Sequence, residues 1–308
     1  MSPASGRPRL LLVGGGGGLA GRSVVEEFAP DWAIRSVHRH PVASEASTHV
    51  EWIRGDAQSI TDWRTLLEDV DLVINLAWYR AGSARRFRWL ADGLIRLLRA
   101  SEAAQTPRWL QVSVPDAPER LEIGLPYLTQ KRRVDRALAE SSLSYAIVRP
   151  TMLFGANDKL MTVMLRTVAR YHRFPMFADG EYHVSPIAAR DLARILRREA
   201  SLTARHTVSA GGPTRWRYRD LTDRLFTVLG RTPRYLRFSA RGGVRLARLL
   251  ETFGSTLLYA YEVEWLVSDL LGLPPYEGLD RPLAPVETFL SVEAVRYPPG
   301  SSARARQY

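Results

Sequence analysis

At 308 residues, 45% hydrophobic and 24% charged, the chain can bury the core of one large α/β domain with a smaller appendage, or of two modest domains. It has no cysteine, which excludes disulfides, thiolate nucleophiles and cysteine-ligated zinc and fits a reducing, cytoplasmic compartment. A formal charge of +11 comes from 43 basic residues, all but two of them arginine; they are spread along the chain without a basic stripe, so no nucleic-acid-binding face is expected.

RLLLVG at 9–14 reads as a first strand and Leu19 to Phe28 as a helix ended by Pro30. WAIRSVHR at 32–39 and VEWIRGD at 50–56 follow as strands. TDWRTLLEDV at 61–70 has Thr61 in a cap position, and DLVINLAW at 71–78 is the continuous apolar run of a strand inside a parallel sheet. A helix at 86–104, a strand at 108–115, a helix from Tyr127 and a strand at 144–150 complete the alternation. Its spacing predicts an α/β fold with a doubly wound, Rossmann-like parallel sheet.

Further helices are expected at 159–172, 189–200 and 218–230, with a short strand at 206–212. The pattern changes beyond residue 235, where 241–272 has helical apolar spacing interrupted at Gly254. We therefore expect a dinucleotide-binding domain over 9–230 with interleaved substrate-side segments from about 151, a helical region over 235–296 completing a small, mostly C-terminal substrate-side lobe, and a disordered tail at 297–308. The six histidines show no metal-ligand spacing, and the apolar run after MSPASGRPR is too short for a secretory signal or a membrane span. No metal and no membrane partner is expected.

GGGGGLAG at 14–21 directly follows the first strand and opens a helix. An ordered glycine run costs folding entropy, and in this context it lets the backbone turn tightly and present helix amides to a pyrophosphate. Gly15, Gly18 and Gly21 give GxxGxxG, and Gly16, Gly18 and Gly21 also satisfy GxGxxG; Leu19 and Ala20 lie at the helix start. At the end of the second strand the sequence is SVHRH, with Arg39 where an acidic residue would select NAD. Arginine pairs with a 2′-phosphate and stacks on adenine, so NADP is expected in preference to NAD. Asp56 either accepts from the adenine amine or makes an Asx turn after Gly55.

GGGGLAG at 15–21, GD at 55–56, NLA at 75–77, YLTQK at 127–131, VRPTMLFG at 148–155 and VSPIAARDLA at 184–193 resemble, in that order, the atypical or extended short-chain dehydrogenase/reductase superfamily, in its NAD-dependent epimerase/dehydratase-like branch. Tyr127 and Lys131 share one helix face, and a nearby ammonium favours the phenolate of a tyrosine whose free pKa is about 10. Ser113, at the end of the fifth strand, is placed to polarise a carbonyl, so Ser113, Tyr127 and Lys131 look like the family's proton-transfer set. Each also has a plain structural reading: a core aromatic, a solvated KRR run, a strand serine.

The resemblance further implies that Lys131 holds ribose hydroxyls and that Pro150 and Thr151 lie near the nicotinamide. Ala57 adjoins Asp56, and Leu76, Ala77 and Trp78 are expected to line the cofactor channel, whereas Leu76 stands at the family's second asparagine position, so no catalytic asparagine is carried over. Trp78, Tyr79 and Arg80 border the substrate or form an aromatic edge of the core. The three-proline segment 114–126 reads as a loop over the site, Asp191 as a cap, and Asn157, Asp158, Arg166, His172 and His183 as substrate-wall candidates.

The functional expectation is an NAD(P)-dependent oxidoreductase, NADPH-preferring, acting on a small organic carbonyl or alcohol as a monomer or homodimer. The same Tyr/Lys pair also serves an epimerase or dehydratase of sugar or sugar-nucleotide type, and a non-catalytic dinucleotide-binding sensor or accessory subunit stays open.

Overall fold

The computed structural model describes residues 6–14, 17–39, 49–79, 83–156, 158–253 and 258–298. The chain forms two compact units: Met1–Pro150 with Ala189–Ala210, and Thr151–Ala188 with the chain from Gly211 onward.

The first unit contains β1 (Arg9–Val13), α1 (Leu19–Phe28), β2 (Ala33–His38), β3 (Val50–Arg54), β4 (Leu72–Asn75), α2 (Ala84–Ala103), β5 (Arg108–Val112), α3 (Glu119–Gly124), α4 (Pro126–Glu140) and β6 (Ser144–Pro150). In the second unit follow β7 (Leu153–Phe154), α5 (Leu160–Tyr171), β8 (Phe174–Phe177), β9 (His183–Val184) and β10 (Ile187–Ala188). The chain returns to the first unit with α6 (Ala189–Ala200) and β11 (His206–Ala210). The second unit then takes β12 (Trp216–Arg217), α7 (Tyr218–Val228), β13 (Tyr235–Phe238), α8 (Ala240–Thr252), α9 (Ala260–Leu266) and α10 (Val286–Ala294).

In the first unit seven strands form one sheet in the order β11-β6-β5-β4-β1-β2-β3, and every pairing is parallel. This is a doubly wound, Rossmann-like sheet whose strand order reverses between β1 and β4. Parallel strands covered on both faces need uninterrupted apolar runs: Leu10, Leu11 and Leu12 of β1 and Val73 and Ile74 of β4 are fully buried. Two helix pairs cover the sheet, α1 with α6 and α2 with α4.

Helix α2 buries Phe87, Leu90, Ala91, Leu94, Leu97 and Leu98, the three-and-four spacing of one helix face. Its Gly93 is required by contact, since a Cβ there would stand 2.2 Å from the Ala57 carbonyl oxygen. Trp109 of β5, wholly buried, joins this face to the sheet.

The second unit has its own core from Met161, Leu165 and Val168 of α5, Leu221, Leu225 and Phe226 of α7 and Leu290 of α10. β8 pairs with β13, and Phe177 packs with Ala247 of α8 and Val263 of α9. No helix among the described residues is long and apolar enough to cross a membrane.

Three local expectations change. Residues 61–70 contain only the 3-10 turn Thr65–Leu67: Asp62 accepts from the Arg64 amide at 2.9 Å, an Asx turn that competes with an α-helical start. The segment 114–126 is not all loop, because α3 forms within it, and Arg136 of α4 holds Glu122 of α3 at 2.6 Å. The region from 235 is not all helical, because the strand β13 opens it; the segment 211–230, with α7, lies with it in the second unit. Gly254 and the residues from 299 lie outside the described ones.

Candidate functional site

The carboxyl ends of β1 to β4 open a cleft of about 270 Å³. It lies where the strand order reverses, the place at which open parallel sheets bind ligands. Gly14 forms its floor: φ is +75°, its amide donates to the Val37 carbonyl at 2.9 Å, and a Cβ would lie 2.4 Å from the Ala77 Cα. Only glycine permits this approach of the chain after β1 to the chain after β4.

Gly18 is the N-cap of α1, in extended conformation, and offers no side-chain cap to the amides that follow, those of Leu19 and Ala20 first among them. The first turn carries no acidic residue. A helix start of this kind can receive an anion. Gly15 lies outside the described residues.

Arg39, Asp56 and Tyr79 meet at one end of the cleft. Asp56 accepts from the Gln58 amide at 3.1 Å, making the Asx turn, and its other carboxylate oxygen accepts from the Tyr79 hydroxyl. The Arg39 Nε is 3.9 Å from that second oxygen, and its guanidinium lies 4.7 Å from the Tyr79 ring centroid. Burial first, and Asp56 second, push the Tyr79 phenol far above its ordinary pKa, so it stays a donor. Tyr79 thus belongs to the cleft together with Arg39; Arg80 lies outside the described residues.

Asn75 is buried: its Nδ2 donates to Gln111 at 2.9 Å and its Oδ1 accepts from the Ala77 amide at 3.0 Å, which shapes the turn carrying Leu76, Ala77 and Trp78 into the cleft lining. Trp78 stacks on Phe87 with centroids 6.0 Å apart and planes 9° apart, and Tyr127 meets it edge-on at 5.9 Å. The Lys131 ammonium lies 4.8 Å from the Trp78 centroid. The Trp78 indole N–H is buried with no hydrogen-bond partner among the described residues. Ala57 is buried in the same lining.

Tyr127 and Lys131 stand one turn apart near the start of α4, which Pro126 opens. Lys131 is 5% exposed, and its ammonium donates to the Val112 carbonyl at 3.3 Å. Burial lowers its pKa to about 8; Asp135 opposes the shift and Arg132 adds to it.

Ser113 is placed differently from the expectation that its hydroxyl polarises a carbonyl. It donates to Asp135 at 2.6 Å inside a buried network. Arg132 holds the same Asp135 oxygen at 2.8 Å, Arg149 lies 3.9 Å from it, and Asp116 pairs with both arginines. Asp135, Arg149 and Phe87 were not singled out by motif; the available signal was Asp135 one turn beyond Lys131 on the same helix.

Pro150 closes β6 at the edge of the first unit. Thr151 opens the second, where its hydroxyl donates to the Ser185 carbonyl. Of the substrate-wall candidates in that unit, Asp158 caps α5, accepting from Leu160 at 2.8 Å and Met161 at 3.0 Å, and His183 pairs with Asp269 at 3.0 Å. His172 ends α5 in a left-handed conformation, Arg166 lies exposed on α5, and Asn157 is outside the described residues. In the first unit Asp191 lies in the first turn of α6 and pairs with Arg194 at 3.0 Å. No cluster of potential metal ligands occurs among the described residues.

A doubly wound parallel sheet, a glycine floor at the end of its first strand, an uncapped helix start and a cleft at the strand-order reversal define a Rossmann-like dinucleotide-binding protein. The chain belongs to the NAD(P)H-binding family, whose sequence profile matches residues 15–178. No curated protein sequence matches it.

Among solved structures it is similar to the NADPH-dependent quinone oxidoreductase QOR2 of Escherichia coli complexed with NADPH, at 15% identity over 92% of this chain and 99% of that one, with a TM-score of 0.73. It is also similar to MoeE5 in complex with UDP-glucuronic acid and NAD, at 19% identity over 93% and 98% of the two chains, with a TM-score of 0.67. A third is DesIV, the dTDP-glucose 4,6-dehydratase of Streptomyces venezuelae with NAD and TYD bound, at 19% identity over 94% and 96%, with a TM-score of 0.64. At these identities the likeness is one of fold.

Proposed function

We propose that the chain is an NADPH-preferring oxidoreductase that reduces a small organic carbonyl, or oxidises the corresponding alcohol, with Tyr127 and Lys131 as its proton-transfer pair. The observation that carries this reading is Lys131: a buried ammonium with a pKa near 8, one helical turn from Tyr127, both packed on Trp78, which lines the cleft.

The cleft suits a dinucleotide on two features. The close approach at Gly14 fixes the chain after β4 as the cleft wall, and the Trp78 N–H, without a partner among the described residues, is a donor awaiting an acceptor. The amides from Gly18 to Ala20 would hold phosphate, Arg39 the 2′-phosphate and Lys131 the ribose hydroxyls, using donors that its single bond to Val112 leaves over. A bound nicotinamide supplies the hydride.

Tyr127 gives the carbonyl oxygen its proton in the reductive direction and removes the alcohol proton in the other. Lys131 stabilises the phenolate that results and, at a pKa near 8, can exchange its own proton near neutrality. Ser113 holds Asp135 and through it Arg132 and Arg149, fixing the frame of α4. The substrate is a small molecule, and the chain acts as monomer or homodimer.

The test is steady-state oxidation of NADPH with a panel of aldehydes, ketones and quinones. Wild type is expected to consume NADPH, and Tyr127→Phe to be slower by roughly 10²–10⁴-fold with dinucleotide binding intact. Conversion of a sugar substrate with no net change in cofactor redox state would replace this reading with the epimerase one. Binding without conversion of any substrate would support the accessory role.

A further inference from the structure

We infer that Tyr79 sets the dinucleotide preference of the cleft, acting as a positioning residue that holds Arg39 and Asp56 apart and in order. The inference rests on the reading of Arg39 as the group that receives a 2′-phosphate, and it assigns a role to a side chain that the sequence motifs leave at the substrate border.

Three contacts converge on Tyr79. Its hydroxyl donates to Asp56, its ring lies 4.7 Å beneath the Arg39 guanidinium, and it lines the cleft beside both. Arg39 itself is 58% exposed, and its ion pair to Asp56 is loose, at 3.9 Å. A long, exposed side chain of this kind samples many rotamers unless something orders it.

A guanidinium has two faces and an edge of donors. Tyr79 covers one face. Its other face can take an adenine ring and its edge a phosphate, so a cation–π contact made by the protein prepares the arginine for both.

The hydroxyl does a second job. Asp56 and Arg39 would attract each other into a direct salt bridge, which would neutralise the arginine against a protein carboxylate. Tyr79 donates to the same carboxylate oxygen that faces Arg39, and the Asx turn engages the other oxygen. With Asp56 so occupied, the guanidinium is left for an external anion.

The test is equilibrium binding of NADPH and NADH to the full-length protein by calorimetry, with Arg39→Ala, Tyr79→Phe, Tyr79→Leu and the double variant Arg39→Ala/Tyr79→Leu, each checked for folding by circular dichroism. Tyr79→Leu is expected to lower the NADPH-over-NADH preference roughly tenfold by weakening NADPH, with NADH affinity changed less than about threefold. Tyr79→Phe, which keeps the ring and frees Asp56, should fall between wild type and Tyr79→Leu. The double variant should lose no more preference than Arg39→Ala alone, because both changes act through one guanidinium.

If Arg39→Ala lowers the preference but Tyr79→Leu shifts both dinucleotides equally or neither, the role of Tyr79 is overturned while the reading of Arg39 stands. If Arg39→Ala leaves the preference unchanged, the reading beneath it fails, and the role of Tyr79 fails with it. The isosteric Tyr79→Phe keeps the experiment informative should the leucine variant fold poorly.

Discussion

The Lys131 ammonium lies 4.8 Å from the centroid of the Trp78 ring, and that ring also meets the edge of Tyr127. In a chain whose 43 basic residues include two lysines, one lysine stands at this buried position. Arginine stays protonated in any protein environment, whereas an ammonium can be moved toward neutrality by burial. On the proposed function the residue choice is a chemical one: proton transfer through Tyr127 calls for a cation whose proton is exchangeable.

That choice opposes stability. Lys131 is folded with a pKa near 8 against about 10.5 when unfolded, so the unfolded chain binds more protons between those values and stability rises with pH across that window. Below pH 8 the full cost of the buried charge is present, about 3 kcal/mol at most. Lys131→Met should raise stability at pH 7 by about 1–3 kcal/mol while abolishing turnover, and its advantage should shrink toward pH 10.5. Urea unfolding at pH 7 and pH 10 checks this; a variant less stable than wild type at pH 7 would contradict it.

Asp135 balances two arginines, the buried Arg132 and the part-buried Arg149, and receives the Ser113 hydroxyl. Asp135→Ala leaves both guanidinium groups without that partner, and we expect a loss of about 3–5 kcal/mol. Ser113→Ala removes one donor to a charged acceptor and should cost about 1–3 kcal/mol. Denaturation midpoints of the two variants order these effects; a Ser113→Ala cost equal to that of Asp135→Ala would refute the assignment of Asp135 as the hub.

Gly14→Ala places a methyl group 2.4 Å from the Ala77 Cα at a φ of +75°. The left-handed conformation costs about 1–2 kcal/mol and forced backbone movement a further 1–3. The variant should lose about 3 kcal/mol and bind dinucleotide at least tenfold more weakly, read by unfolding and by titration. A change under 0.5 kcal/mol would show that the chain after β4 is not packed against this glycine as described.

The strands and long helices were legible because they carry periodic signals: the parallel-sheet runs at Leu10–Val13 and Leu72–Asn75, and the amphipathic α2, lie where the apolar pattern puts them. Helix α3 was hidden by the prolines around it and by its length of six residues, and its contacts to α4, among them the Arg136–Glu122 pair, are tertiary and leave no periodic signal. The glycine run and the Tyr127/Lys131 spacing were readable as motifs, but the glycine packed on the chain after β4 is Gly14, which the spacing of Gly15, Gly18 and Gly21 does not include. The direction of the Ser113 hydroxyl and the joining of Tyr79 to Arg39 were not, because each depends on side chains 22 to 40 positions apart that meet only in the folded sheet.

In the second unit, burial raises the pKa of Asp158 to about 6, against two amide hydrogen bonds that lower it and with Glu293 adding to the rise. The folded chain then binds this proton more tightly than the unfolded one, so the contribution is full below about pH 3.8 and is lost as pH rises through 6. Asp158→Asn keeps an acceptor for α5 without the charge. The variant is expected to gain about 2 kcal/mol over wild type between pH 4 and pH 7, measured by thermal unfolding across that range. A stability difference that does not vary with pH would rule out this titration.

The central claim is that the cleft between β1 and β4 holds a nicotinamide dinucleotide through Gly14, Arg39 and Lys131. Calorimetric titration of the purified protein with NADPH, NADP, NADH and NAD tests it most directly. The account predicts one site per chain, tighter binding of the 2′-phosphorylated pair, and loss of that preference in Arg39→Ala. Absence of binding by all four dinucleotides would contradict it.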